Sequence, residues 1–137
     1  MQKIILINYQ KIKKIKINKL RSSVLKVLEI LNINKKITVV LVDNRWIRSL
    51  NKKFMNKNIP TDVLAFPYYD KNYLGDIVIS VEEAMKNSSK FNTSLFEELL
   101  LYIIHGILHL KGYRDKTSSQ RKVMYKKQEE ILRKCLS

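Results

Sequence analysis

Two histidines and an aspartate in the last third of the chain have the residue types and spacing of a metal site. His105 and His109 are the only histidines and stand four residues apart. Residues i and i+4 share one face of an α-helix, so both rings can reach one ion. Gly112 permits the helix to end, and Asp115 can then turn back as a third, oxygen ligand. Three protein ligands leave a position open for water, as hydrolytic metal chemistry requires.

The spacing by itself leaves alternatives open. Two histidines at this separation also occur by chance, and an aspartate in a polar stretch is often a solvated turn residue or a helix cap. Zinc proteases carry a glutamate directly after the first histidine as general base. Here that position is Gly106, so the pattern argues against peptide hydrolysis.

The charge of the chain indicates a polyanionic partner. Its 137 residues include 27 lysines and arginines against 12 aspartates and glutamates, a formal net charge of +15. Such a surface attracts nucleic acid, with an anionic membrane as the rival. An AT-rich coding sequence would also enrich lysine, so composition does not select a partner. The basic run at residues 11–19 is interpreted either as a solvated face or as a surface that contacts phosphates.

Apolar spacing predicts the elements that must position the candidate ligands. Strands are predicted at residues 3–9, 36–43, 62–66 and 74–80. Helices are predicted at residues 18–32, 44–55 with Asn44 as cap, 80–90, 93–112 and 118–136, the fourth being the longest. This order predicts an α+β fold: a small mixed four-stranded sheet, about five helices, and the metal site on a central helix. Since no repeat or linker interrupts the pattern, residues 1–137 are predicted to form a single domain.

Cysteine content and hydropathy bear on location. The single cysteine, Cys135, allows no intrachain disulfide, which fits a reducing compartment. No apolar run approaches the roughly 20 residues of a membrane span, and the first apolar stretch is too short for a signal-peptide core. A cytoplasmic protein without a membrane partner is therefore predicted.

Three sequence blocks carry a resemblance to a known family. HGILHLKGY at residues 105–113 resembles the signature of the YbeY family of bacterial endoribonucleases, His-Gly-x-Leu-His-Leu-x-Gly-Tyr-Asp-His. LNKKFMNKNIPTDVLAFP at 50–67 is similar to the family's Leu-Asn-x-x-Tyr/Phe-Arg-x-x-Asp-x-Pro-Thr-Asp-Val-Leu-Ser-Phe, and LGDIVIS at 74–80 resembles its Gly-Asp-Ile strand. The closing stretch from Met124 through Gln128 to Leu132 also fits, so the blocks span about residues 50–132 in family order.

The resemblance implies a single-strand-specific, metal-dependent endoribonuclease of the cytoplasm. Its implied role is maturation of the 16S ribosomal RNA 3′ end and ribosome quality control, with the small ribosomal subunit and a ribosomal protein as partners. It also implies one zinc ion held by three histidines. His105 and His109 match the first two ligands, and Asp115 stands at the third. A one-residue slip would place Lys116 there, which cannot bind zinc while protonated, so Asp115 is the preferred ligand.

Departures from the family pattern raise a second hypothesis. Met55 stands where the family has an arginine, Asn58 where it has an acid, and Ala65 where it has a serine. An arginine can stabilise charge on a phosphodiester in reaction, and Lys53 or Lys57 could replace it only as a point charge. The alternative function is therefore a catalytically impaired ribosome-assembly or rRNA-binding factor that retains the fold.

Four further matched residues have two interpretations each. Thr61 and Asp62 either border the cleft or make strand-entry hydrogen bonds. Asp76 either orients a ligand histidine from behind or pins a sheet edge. Tyr113 either stacks on a base or anchors the end of the helix.

Overall fold

Four strands form one mixed sheet in the computed structural model, which describes residues 3–136. They are β1 (Ile4–Asn8), β2 (Lys36–Val42), β3 (Val63–Pro67) and β4 (Tyr73–Ser80). The strand order is β1-β2-β4-β3, with β1, β2 and β4 parallel and β3 antiparallel to β4. β3 is thus an edge strand, which tolerates a proline because the outer ladder needs no amide proton from it. The predicted mixed four-stranded sheet is confirmed.

Five helices pack around this sheet, as predicted. They are α1 (Ile17–Ile30), α2 (Asn44–Met55), α3 (Val81–Phe91), α4 (Leu95–Leu110) and α5 (Ser118–Leu136). Two details of the prediction are wrong. α5 spans the predicted residues and, with 19, exceeds the 16 of α4, because the predicted range 93–112 is too long: Ser94 caps α4 from outside the helix, and the chain leaves the helix at Lys111. The cap of α2 is Asp43, whose carboxylate accepts the amide proton of Trp46 at 2.9 Å, and Asn44 is the first helical residue.

No single helix among the described residues is long and apolar enough to cross a membrane. α3 and α4 meet the length and composition criteria only when taken together, and they are bent by 117° relative to each other.

Alternate strand residues divide the core between the two faces of the sheet. The larger core lies on the face that α1, α3, α4 and α5 cover, and it includes Ile37, Val39, Ile77 and Ile79. On the other face, α2 packs a smaller cluster around Ile47. Successive residues of the central strands β2 and β4 therefore face the larger core and the smaller cluster in turn.

Helix α4 lies at the centre of the larger core, with ten buried residues. Ser94 caps its first turn by accepting the amide proton of Glu97. At its other half α4 approaches β4 closely: a Cβ built on Gly106 would lie 2.8 Å from Cγ2 of Ile77, and one on Gly75 would lie 2.7 Å from Leu110. Gly75 also has a φ of +157°, and its Cβ would lie 2.4 Å from a β3 carbonyl oxygen. Glycine at both positions lets α4 sit directly on the sheet.

Candidate metal centre

Three side-chain atoms converge at the C-terminal half of α4. The Nε2 atoms of His105 and His109 are 3.0 Å apart. One carboxylate oxygen of Asp115 lies 3.2 Å from Nε2 of His109 and 3.8 Å from Nε2 of His105. No other group of three or more His, Cys, Asp or Glu side chains with such spacing is found among residues 3–136. The structure therefore brings together the three residues that the sequence predicts as ligands.

The hydrogen bonds made by Nδ1 of each histidine determine the tautomer of the ring and thus whether Nε2 presents a lone pair. Nδ1 of His109 lies 3.1 Å from the carbonyl oxygen of Tyr113, which can only accept, so Nδ1 carries the proton. Nδ1 of His105 lies 3.0 Å from Oε1 of Gln128 and donates in the same way. Both Nε2 atoms then present lone pairs toward each other and toward a carboxylate. With both histidines neutral, these three atoms are all acceptors, an arrangement that a shared cation would satisfy.

The donor set fits zinc. Imidazole nitrogen and carboxylate oxygen are zinc ligands, and bonds of about 2.0–2.1 Å in a tetrahedron separate ligand atoms by about 3.3 Å. The three distances here, 3.0, 3.2 and 3.8 Å, lie around that value. The histidine side chains are each 28% exposed and that of Asp115 is 44% exposed, so one side of the cluster faces solvent. A fourth position is thus accessible to water or substrate.

The segment between α4 and α5 holds Asp115 in place through backbone bonds. Gly112, at φ +105°, lets the chain leave the helix, and its amide donates to the carbonyl of His109. From the first turn of α5, Arg121 donates to the carbonyl oxygens of Asp115 and Lys116. Gln120 accepts the amide protons of Lys116 and Thr117. The position of the third ligand therefore depends on α5 as much as on α4.

Gln128 is the functional residue that the sequence reasoning did not single out. It lies 23 residues after His105, in the middle of α5, and its role depends on the packing of α5 against α4. The only available signal was its place in the closing block of the family resemblance, four residues after the buried Met124. Its carbonyl keeps the proton of His105 on Nδ1 and leaves Nε2 free for an ion.

Removing the Gln128 acceptor is expected to weaken zinc binding. For Gln128→Leu we expect a loss of about 10- to 100-fold in zinc affinity, since partners of this kind fix the ring orientation and tautomer of a ligand histidine. Gln128→Glu retains an acceptor at the same place and should bind zinc at least as well as the wild type. Competition titration against a chromophoric chelator measures both, with the exposed α5 residue Lys126→Leu as control. Equal affinity of Gln128→Leu and Lys126→Leu would contradict this role.

A cleft of about 700 Å³ is lined by two of the three candidate ligands, His109 and Asp115. Its far wall is the end of α2 and the following segment, and the amide of buried Asn51 binds the carbonyl of Ile59 to hold that segment against α2. Met55 lines this cleft where the family has an arginine, together with Lys57 and Lys116. Lys53 does not line it and instead lies over the ring of its neighbour Phe54. Of the two lysines proposed as substitutes, only Lys57 borders the site.

The structure decides between the two interpretations of the other matched residues. Thr61 lines the cleft, whereas Asp62 accepts the amide proton of Val63 at 2.8 Å and so forms the strand entry. Tyr113 packs against the core and anchors the helix end, and its carbonyl also holds the ring of His109.

Asp76 does not orient a ligand histidine, so the first of its two interpretations is wrong. Its neighbours Gly75 and Ile77 contact α4, so the side chain between them points to the opposite face of the sheet. There it accepts a hydrogen bond from the hydroxyl of Tyr73, which also contacts Thr38 of β2. Burial and this bond raise the pKa of Tyr73 to about 12.

Known proteins resemble this chain over most of its length. A family model described as "Endoribonuclease YbeY" matches residues 5–136. A protein of that name from Borreliella afzelii is 43% identical over 123 residues, 81% of each chain. Another, from Carboxydothermus hydrogenoformans, is 39% identical over 99 residues, 70% of this chain and 69% of the relative. The solution structure of TM1509 from Thermotoga maritima superimposes on this chain with a TM-score of 0.70 at 30% sequence identity. The match covers 96% of this chain and 88% of the TM1509 chain.

Proposed function

This chain belongs to the YbeY endoribonuclease family, and from that premise we propose that it cleaves single-stranded RNA with one zinc ion held by His105, His109 and Asp115. It is a hydrolase of RNA phosphodiester bonds that acts in ribosomal RNA processing. The observation that carries the zinc assignment is the convergence of Nε2 of both histidines and a carboxylate oxygen of Asp115, with each Nδ1 hydrogen-bonded to a carbonyl oxygen. A bound metal cation satisfies all three acceptors at once.

The residues of the chain prepare the site for this chemistry. Bound zinc supplies a Lewis acid that lowers the pKa of water or polarises a phosphoryl oxygen. The carbonyls of Gln128 and Tyr113 hold the two imidazoles in the tautomer that offers Nε2. Lys57 and Lys116 border the same cleft and can hold a phosphate backbone as point charges. The open side of the cluster admits the strand.

The alternative of an impaired assembly factor is not favoured. It was suggested by Asp115 at a histidine position and Met55 at an arginine position. An aspartate oxygen is an ordinary zinc ligand, and it lies close to both imidazoles. Two lysines supply positive charge in the cleft beside Met55. The matched relatives are named as endoribonucleases, which supports the enzyme.

The proposal extends to the setting of the enzyme. Residues 1–137 are proposed to act as one domain in the cytoplasm. The substrate is proposed to be the 3′ end of 16S ribosomal RNA on the small subunit, reached with the help of a ribosomal protein. The excess of basic residues supports a polyanionic partner, whose affinity should fall steeply with salt.

Metal analysis combined with an RNA-cleavage assay tests the proposed function. The purified wild type should carry about one zinc per chain, and a chelator should abolish cleavage of single-stranded RNA until zinc is restored. Asp115→Ala should lose zinc affinity by at least about 100-fold, whereas Asp115→His, which keeps a zinc ligand, should retain it. Asp70→Ala, in the exposed loop between β3 and β4, is the control. Metal-free wild-type protein that cleaves RNA as well as a zinc-loaded sample would overturn the proposal.

A further inference from the structure

A second cationic surface lies far from the candidate metal centre. Five lysines between the end of β1 and the first turns of α1, here called the lysine surface, are all exposed: Lys11, Lys13, Lys14, Lys16 and Lys19. The lysine surface borders Leu95 and Phe96 at the first turn of α4. His105 and His109 are 10 and 14 residues further along α4, which corresponds to about 15 and 21 Å of helix. The two cationic regions therefore lie near opposite ends of one rigid element.

The segment that carries these lysines is held in one conformation by a buried glutamine. Gln10 is 6% exposed. Its Nε2 donates to Oδ1 of Asn8 and to the carbonyl of Lys13, at 2.9 and 2.8 Å. Its Oε1 accepts the amide protons of Ile12 and Lys13, at 2.9 and 3.0 Å. All four hydrogen-bonding positions of this amide are used, so the loop presents its lysines from a fixed backbone.

The charge of the lysine surface is not compensated by acidic side chains. The sequence has no aspartate or glutamate before Glu29, although eight lysines and arginines precede it. Within residues 3–136, none of the five lysines forms an ion pair with a carboxylate. Lys19 alone has a specific partner, the ring of Phe96 at 4.6 Å. The positive charge of the lysine surface is therefore available to an anionic partner.

An exposed pair of aromatic rings lies where the chain enters the loop that carries the lysine surface. Tyr9 directly precedes Gln10 and packs edge-on against Trp46 at the start of α2, with ring centroids 5.4 Å apart. Both rings are largely exposed, and the cation of Arg45 is next to Trp46 in the chain. Lysines beside exposed aromatic rings suit RNA, whose phosphates take the charge and whose unpaired bases stack. A membrane is less suited, because the segment is not an amphipathic helix with an apolar face.

We propose that the lysine surface binds the phosphate backbone of RNA at a second site, remote from the cleft beside His109. The enzyme then holds a long RNA at two places along α4, whereas a short oligonucleotide reaches only the cleft. The choice of RNA as ligand rests on the proposed function. Binding at a site away from the reacting bond is uniform binding, which lowers KM and leaves kcat unchanged.

The test neutralises the lysines of the loop and compares the result with a matched control. The patch variant combines Lys11→Gln, Lys13→Gln, Lys14→Gln and Lys16→Gln, and preserves the backbone that Gln10 binds. The control combines Lys71→Gln, Lys90→Gln, Lys122→Gln and Lys126→Gln, all exposed lysines of other elements. Both lose four charges, so only position differs. Circular dichroism and thermal unfolding verify that both variants keep the fold.

For the patch variant on a long ribosomal RNA fragment, we expect KM to rise on the order of tenfold or more at low salt with kcat unchanged. The slope of log affinity against log salt should fall in magnitude by about 3, since each phosphate contact on a single strand contributes about 0.7. Neither change should occur for the control or with a trinucleotide substrate.

Three outcomes would overturn the proposal. One is equal KM of the patch variant and the control on the long RNA. Another is an equal rise in KM on the trinucleotide. The third is unchanged RNA affinity together with lost binding to phosphatidylglycerol vesicles, which would assign the lysine surface to a membrane. Fluorescence anisotropy with labelled RNA measures affinity independently of cleavage. A wild type that binds RNA through these lysines but does not cleave it would overturn the proposed function and leave the lysine surface supported.

Discussion

Replacing His109 by alanine is expected to remove the bound zinc and to lower RNA cleavage by about a thousandfold or more. His109 is the ligand whose Nε2 lies closest to both other donor atoms, at 3.0 Å from His105 and 3.2 Å from Asp115. Its loss leaves two ligands, which is fewer than a catalytic zinc site uses. Metal stabilisation of a phosphoryl transition state is worth several kcal/mol, and about 4 kcal/mol corresponds to a thousandfold.

Elemental analysis and single-turnover cleavage measure the two effects on the same samples. Lys111→Ala is the control, because the side chain of Lys111 is exposed at the same end of α4 and donates to the carbonyl of Leu31, whereas only its backbone amide, which alanine keeps, bonds to His109. His105→Ala should behave like His109→Ala. If His109→Ala retained one zinc per chain and cleaved RNA at the rate of Lys111→Ala, the metal centre would lie elsewhere in the chain.

Enlarging Gly106 is expected to destabilise the protein and disturb the metal centre together. A Cβ at this position would lie 2.8 Å from Cγ2 and 3.1 Å from Cγ1 of Ile77, a side chain that is fully buried in the core. For Gly106→Val we expect the free energy of unfolding to fall by at least about 2 kcal/mol, because overpacking outweighs the gain in helix propensity. α4 must then move from the sheet, and His105 moves with it, so zinc affinity should fall as well.

A double-mutant cycle isolates the contact from these other effects. Gly106→Ala and Ile77→Ala are each expected to destabilise, the first by overpacking and the second by leaving a cavity. Together they should destabilise by at least about 1 kcal/mol less than the sum, since the new methyl group fills part of the cavity. Urea unfolding with a chelator in every sample removes the contribution of bound metal. Additive energies would show that Gly106 and Ile77 do not limit the approach of α4 to β4.

The packing of α4 also explains why a glycine, and not a glutamate, follows the first histidine. Zinc proteases have a glutamate at the corresponding place as general base. In this fold the position points into the sheet, one residue away from the face that carries His105 and His109. A carboxylate there would be buried against Ile77 and not directed at the ion. A glutamate at this position is thus incompatible with the packing of α4 on β4.

The elements of the fold were largely predictable from local patterns. The β-branched run of β2 and the apolar spacing of α1 are properties of consecutive residues, so they need no knowledge of the partner surface. The helix predictions that failed depended on hydrogen bonds at the helix ends. Asp43 and Asn44 are both good caps, and only the bond to Trp46 distinguishes them. α4 is shorter than the predicted range 93–112 because Ser94 is its cap and Lys111 already lies beyond its last residue.

The sequence by itself determined that His105 and His109 share a face, because the helix geometry fixes that for any residues four apart. It determined the family as well, through ordered blocks. Only the tertiary structure decided how the site is completed. Asp115 reaches the histidines because α5 holds its loop, and Gln128 reaches His105 because α5 packs on α4. Asp76 is excluded because the pleat of β4 points it to the other face. These contacts join residues that are distant in the chain, and packing between elements, which local spacing does not encode, brings them together.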